Sequence, residues 1–274
     1  YDHSMRHDVS VVLNAPMPRE RALAVILETG FTHKQVIELW QHASEDYFLR
    51  ESVRDIVWQT EALAIHANER TPLVIIRNFT DLQQEGATQV FVRATNSAFL
   101  FANLSAALER LNLNIHDARM YVMGAEVCVL SFIVLETDGR PLKRDEAQLG
   151  QMQKMLQEAA AAEHQQSRNR PQAPTRKQRH FNRHTVTTLA NIDSKPYSIL
   201  EVLCPDRPGL LASVADVFIE MGIVLHNAKI TTLGENVEDV FFITDNNNHK
   251  LCDPAVIEEL QATVRSRLDN ETWP

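Results

Sequence analysis

Apolar residues recur at helical spacing over roughly the first seventy positions and at strand spacing after them. "RERALAVILETG" and "HKQVIELWQHASEDYFLRESVRDIVWQTEALAIHA" place residues such as Val36, Leu39, Trp40 and Ala43 on one helical face, with Gly30 ending the first run. From Thr71 the texture changes to β-branched runs, "PLVIIR" and "QVFVRA", separated by the turn-forming "DLQQEG". A second break comes at residues 164 to 184, "HQQSRNRPQAPTRKQRHFNRH", which are rich in Gln, Arg and Pro and read as a linker. The expected organisation is a helical segment over 1–70, an α/β domain over 71–165, a basic linker over 166–183 and a second α/β domain over 184–274.

The two α/β stretches repeat one another. At an offset of 110, Leu100 falls on Leu210, Ala102 on Ala212, His116 on His226 and Ala118 on Ala228. Phe101, Leu104, Leu108 and Leu111 match Leu211, Val214, Phe218 and Met221, so each copy lays one helical stripe against a sheet. Each unit reads as strand, helix, strand, strand, helix. A ferredoxin-like βαββαβ sandwich needs one more strand, and the chain ends at "LDNETWP" without one. Residues 72–77 and 184–189, "PLVIIR" and "HTVTTL", are candidates for edge strands on the N-terminal side, giving ββαββα. Alternatively, "HTVTTL" closes the first domain and leaves the second short.

Composition narrows the function. With 274 residues, 44% hydrophobic, the chain can bury a sizeable core, and a formal net charge of −9 argues against nucleic acid as the main partner. The local exception is the linker, with Arg168, Arg170, Arg176, Lys177, Arg179 and Arg183. It reads first as a solvated spacer, second as a contact for an acidic protein face and third, with Phe181 alone as a stacking ring, as a nucleic-acid binder. Cys128, Cys204 and Cys252 are far apart and show no C-x-x-C spacing, which fits a reducing compartment. No apolar run reaches the roughly 18 residues of a membrane helix, and no signal peptide opens the chain, so the expected location is the cytoplasm. The chain begins on Tyr1, as a piece of a longer protein would.

"DRPGLLASVADVFIEMGIVLHNAKITT" resembles the ACT domain, a regulatory amino-acid-binding module, and "NSAFLFANLSAALERLNLNIHDARM" is similar to it as a degenerate copy. Together with "DYFLRES…VWQT" ahead of the pair, "RHFNRHTVTT" between and "GENVEDVFFIT" near the end, the chain resembles the C-terminal regulatory part of the bifunctional enzymes that uridylylate and deuridylylate the PII nitrogen-signalling protein. The resemblance covers about residues 20 to 274. It implies an α+β fold: two ferredoxin-like, ACT-type sandwiches with antiparallel sheets, preceded by a helical segment. It also implies glutamine as ligand, PII as the partner of the full-length parent, and pairing between ACT modules.

The residues of the second copy's turn suit that ligand. Asp206 is a candidate N-cap, Pro208 sets φ for a helix start, and Gly209 removes a side chain where a strand enters a helix. That alone makes a good helix start. It also lets a ligand carboxylate reach free N–H groups at the helix N-terminus, so Asp206, Arg207, Pro208, Gly209 and Leu210 are the candidate glutamine site. In the first copy Ala98 and Phe99 stand where Pro208 and Gly209 do, which favours binding at the second copy or at a junction between copies. His226 and Asn227 join the candidates, Asn227 because its amide both donates and accepts toward a carboxamide.

No catalytic residue and no metal ligand is assigned to this chain. The transferase chemistry that the resemblance implies needs a Gly-Ser turn and paired aspartates to hold Mg²⁺, and neither occurs here. His7 and Asp8 form one His-Asp pair, whereas a hydrolase metal site needs several ligands from separate helices. Mg²⁺ is therefore expected of the parent and no cofactor of this fragment. The rival reading is a structural or dimerising ACT pair that binds no small molecule.

Overall fold

A computed structural model describes residues 17–81, 84–124, 126–164, 184–207, 209–233 and 236–270. The basic linker, Pro208 and the His7-Asp8 pair lie outside the described residues. The chain divides into two compact units, residues 1–69 and 70–274.

The first unit is helical: α1 (Pro18–Glu28), α2 (His33–Trp40), α3 (Glu45–Arg50) and α4 (Val53–Ile65). Side-chain caps start three of them. Thr32, Ser44 and Ser52 each accept a hydrogen bond from the backbone N–H three residues on, which satisfies a donor that the helix itself leaves open. Val36, Trp40, Tyr47, Phe48 and Ile56 are buried. Their polar atoms are paired: Trp40 Nε1 donates to Thr60 Oγ1 at 2.9 Å and Tyr47 Oη to Gln59 Oε1 at 2.9 Å.

The second unit is a twofold repeat of ββαββα. The first half holds β1 (Leu73–Asp81), β2 (Gln84–Thr95), α5 (Leu100–Arg110), β3 (Leu113–Met123), β4 (Val127–Glu136) and α6 (Glu146–Ala161). The second holds β5 (Val186–Asn191), β6 (Ser198–Pro205), α7 (Leu210–Glu220), β7 (Val224–Leu233), β8 (Asn236–Thr244) and α8 (Pro254–Asn270). Both N-terminal runs are edge strands, β1 antiparallel to β2 and β5 antiparallel to β6. The two sheets are not separate. β3 pairs antiparallel with β7 at Arg119 and Lys229, so the described strands form one eight-stranded sheet in the order β1-β2-β4-β3-β7-β8-β6-β5. The order reads the same from either edge, and the seam between halves is the β3–β7 pair. One apolar core runs through both halves, from Val90, Leu104 and Phe132 to Val214, Phe241 and Leu260, between the sheet and helices α5 to α8.

Two details repeat with the fold. Ladder pairing slips between Ile115 and Asp117 in β3 and between Leu225 and Asn227 in β7, so His116 and His226 are the extra residues of equivalent β-bulges. A polar clip recurs at each edge strand. In the second half, Ser198 Oγ donates to Asn191 Oδ1 at 2.6 Å, Leu251 N donates to Ser198 Oγ at 2.9 Å and Asn191 Nδ2 to Leu251 O at 2.9 Å. In the first half, Thr88, Leu142 and Asn78 make the same three bonds. Ser198 is wholly buried, so Ser198→Ala leaves the Leu251 N–H without its acceptor. The expected loss is about 1–3 kcal/mol of unfolding free energy, read by urea titration of the two proteins.

Candidate functional site

A cavity of about 230 Å³ opens where the two halves of the repeat meet. The second half contributes the β6–α7 turn with Asp206, Arg207 and Gly209, then Leu210 and Asp239. The first half contributes Ser105 and Glu109 of α5 and the start of β3. The geometry of the turn follows from Gly209, which adopts φ = 77°, a left-handed conformation that costs a side-chain-bearing residue energy. Gly209 is itself the N-cap of α7, with no side-chain cap, which corrects the expectation that Asp206 caps this helix. Its carbonyl accepts from the Ser213 backbone N–H and from Ser213 Oγ, both at 2.9 Å. A Cβ added to Gly209 would stand 3.0 Å from Glu109 Oε1, so a carboxylate of the first half already approaches the start of α7.

Three side chains bring buried polar atoms to this cavity that have no hydrogen-bond partner among the described residues: Ser105 Oγ, Arg207 Nη2 and both carboxylate oxygens of Asp239. Asp239 is the most extreme, with 0% of its surface exposed. Burial pushes its carboxyl well above the usual range, the nearby charge of Asp206 pushes the same way, and the Thr231 backbone N–H, which lies near it without meeting hydrogen-bond geometry, opposes them. Asp206 is also raised, first by desolvation, with His116 and the Arg207 N–H pulling down. It remains exposed at the mouth. Cys204, on the adjacent strand, is pushed up to about 12 by burial and then by Asp239. It is a packed core thiol.

Of the candidate site residues, the structure brings Asp206, Arg207, Gly209 and Leu210 together around the cavity. Pro208 lies outside the described residues. His226 and Asn227 do not line it. His226 Nε2 instead meets Thr244 Oγ1 at 2.8 Å, and burial lowers its pKa. Asn227 alternates with the core residues Ala228 and Ile230, which turns its side chain to the other face of the sheet.

Ser105, Glu109 and Asp239 were not among the candidates, and each breaks the apolar frame of the repeat. Ser105 and Glu109 stand where the second copy has Ala215 and Ile219. Asp239 pairs with Ile230 as Leu130 pairs with Met120, so it occupies the core position that leucine fills in the first half. The equivalent junction around residues 96–98 encloses about 160 Å³. No ionisable side chain is among the described residues that line it.

Among the described residues, no group of three or more His, Cys, Asp or Glu is placed to hold a metal ion. No helix among them is long and apolar enough to cross a membrane.

Comparison with known proteins places the chain. Residues 18–62 match the family model described as the uridylyltransferase GlnD fifth domain, and residues 198–264 match the ACT domain. The chain is 38% identical over 271 residues to a bifunctional uridylyltransferase/uridylyl-removing enzyme of Ectopseudomonas mendocina, covering 93% of this chain and 29% of that one. The protein of the same name from Azotobacter vinelandii is 36% identical over 278 residues, covering 96% of this chain and 30% of that one. The chain thus spans about three tenths of the length of the curated relatives it matches. It corresponds to the C-terminal region of the bifunctional uridylyltransferase/uridylyl-removing enzymes, with their fifth domain and an ACT domain.

Proposed function

We propose that this chain is the glutamine sensor of such an enzyme. Glutamine binds in the cavity between the two ACT-type halves, and its binding sets the balance between uridylylation and deuridylylation of PII by catalytic parts, with their Mg²⁺, that lie outside this chain. The observation that carries the reading is the meeting of Ser105 Oγ, Arg207 Nη2 and the Asp239 carboxylate, all buried and unpartnered, at one cavity built from both halves. Buried polar groups are normally hydrogen-bonded, and an unmet one costs stability, so three at one place mark a surface suited to a polar ligand. Their chemistry suits a zwitterion. A guanidinium faces a carboxylate, a carboxylate receives an N–H, and a hydroxyl does either.

A site that spans the seam also has a way to act. A ligand touching α5 on one side and the β6–α7 turn on the other changes the relation of the two halves by as much as it prefers one arrangement over another.

Titration calorimetry of this chain with glutamine, glutamate and a branched-chain amino acid tests the reading. The expected result is saturable binding of glutamine, weakened at least about tenfold by Arg207→Ala, which removes a charge-assisted partner of the ligand carboxylate. Absence of binding by every amino acid tried would leave the structural pair of sandwiches as the better account.

A further inference from the structure

We infer that Asp239 is the residue that reads the far end of the ligand, accepting a neutral N–H donor such as a carboxamide and turning away a carboxylate. The inference rests on the amino-acid reading of the cavity and names the property of the side chain that the cavity selects.

The argument begins with register. Asp239 sits at a position where the fold is satisfied by an aliphatic residue, as Leu130 shows in the other half at 1% exposure. An acid there is a burden to folding, because a buried carboxylate is expensive unless it is paired and hydrogen-bonded. Neither of its oxygens has a partner among the described residues, yet the side chain lines a cavity. The burden falls in the half whose turn carries Gly209 with its positive φ. The other half, with Phe99 at φ = −92° in the equivalent place, keeps leucine.

Depth then assigns the ends of the ligand. Asp206 is exposed, Arg207 is half-buried and Asp239 is wholly buried, so the polar groups are staggered from mouth to floor. The ammonium of an amino acid suits Asp206 and Glu109, and its carboxylate suits Arg207, toward the mouth. The end of its side chain then points to Asp239. Among the described residues the walls carry three acids, Glu109, Asp206 and Asp239, against the one guanidinium of Arg207. A γ-carboxylate brought to Asp239 would add a like charge in a buried place, where one of the two must hold a proton. A carboxamide there donates an N–H to an oxygen that has only the poorly placed Thr231 backbone N–H near it. A site built around a hydrogen bond rejects an analogue that cannot make it far more strongly than an apolar pocket rejects a misfit.

Two variants test this, with calorimetry for glutamine and glutamate and thermal melting without ligand. Asp239→Asn keeps the shape and adds a donor, so glutamate should bind more tightly and the preference for glutamine should fall at least about tenfold. Asp239→Leu copies Leu130, so glutamine binding should weaken at least about tenfold. Both variants should melt higher than the original chain, because each removes an unpartnered buried carboxylate. An unchanged glutamine-to-glutamate preference in Asp239→Asn overturns the inference and leaves the glutamine reading standing. Lower melting temperatures for both variants also overturn it, since the carboxylate would then serve the fold. If the original chain binds neither amino acid, the glutamine reading falls and this inference with it.

Discussion

Gly209→Phe is expected to abolish measurable glutamine binding and to cost the chain about 2–4 kcal/mol of stability. Two causes act at once. At φ = 77° any side chain is strained, by roughly 1–2 kcal/mol for a residue with a Cβ. The new Cβ would also start 3.0 Å from Glu109 Oε1. That contact is with the end of a flexible side chain, so Glu109 can swing away, and the backbone strain remains as the larger part of what a single methyl group costs. Gly209→Ala should therefore lose about 1–2 kcal/mol, and nearly the same amount in a Glu109→Ala background. The phenyl ring adds a second effect, because it enters a cavity of about 230 Å³ beside Arg207 and takes volume that a ligand needs to reach that guanidinium. Loss of a charge-assisted hydrogen bond alone is worth about 2 kcal/mol, roughly thirtyfold in affinity. Phe99→Gly, at the equivalent turn where φ is −92°, should leave glutamine binding unchanged. Urea titration and calorimetry read the two effects separately. If Gly209→Phe binds glutamine normally while remaining folded, the turn is a helix start and nothing more.

Much of this fold was legible because the repeat is written in apolar periodicity, which depends on burial and tolerates drift elsewhere. The match of Leu104 and Leu108 to Val214 and Phe218 located both helices. The texture of "PLVIIR" and "HTVTTL" located both edge strands, although sequence could not choose between the two topologies considered for them. The join of the halves into one sheet was not legible. β3 and β7 meet at Arg119 and Lys229, and a strand edge advertises its neighbour through backbone groups that every residue carries. The repeated histidines have a plain cause in the bulges, where the extra residue of a strand need not obey the alternation of its neighbours.

The site was half legible for a related reason. The Pro-Gly turn announces itself through backbone chemistry, and Asp206, Arg207, Gly209 and Leu210 come from that one stretch. Ser105 and Glu109 lie about a hundred residues away on the helix of the other half, and they meet the turn across the seam that sequence did not show. Asp239 was hidden in "VEDVFFIT", where an acid in an alternating strand reads as a solvent-facing position. Its register against Ile230 places it inward, with Phe241 and Ile243. The alignment of the two copies would have found it only after the offset changed from 110 to 109 between β7 and β8, which sets Asp239 against Leu130.

That comparison supplies a reciprocal experiment, Leu130→Asp, which places the acid in the half that keeps leucine. Leu130 is 1% exposed in the shared core and is not among the described residues lining the smaller cavity at residues 96–98. Removal of the leucine contacts and burial of a carboxyl without a partner should together cost about 4–5 kcal/mol or more near neutral pH, enough to unfold a domain of ordinary stability. The pH dependence has a definite sign. Burial raises the folded pKa of such a carboxyl above its unfolded value of about 4, so the folded state holds the proton more tightly than the unfolded state. Stability is then greatest at low pH and is lost as pH rises from about 4 toward the raised folded value, by at most about 1.4 kcal/mol per pH unit for one proton. Leu130→Asp should accordingly be rescued in acid and fail on neutralisation, as read by denaturant midpoints from pH 4 to pH 7 relative to the original chain. Asp239, whose carboxyl is also held well above the usual range, gives the original chain a slope of the same sign, and Asp239→Leu should remove it. A Leu130→Asp chain as stable as the original at pH 7 would mean that this core accepts a carboxylate freely, and the contrast between the two halves would lose its force.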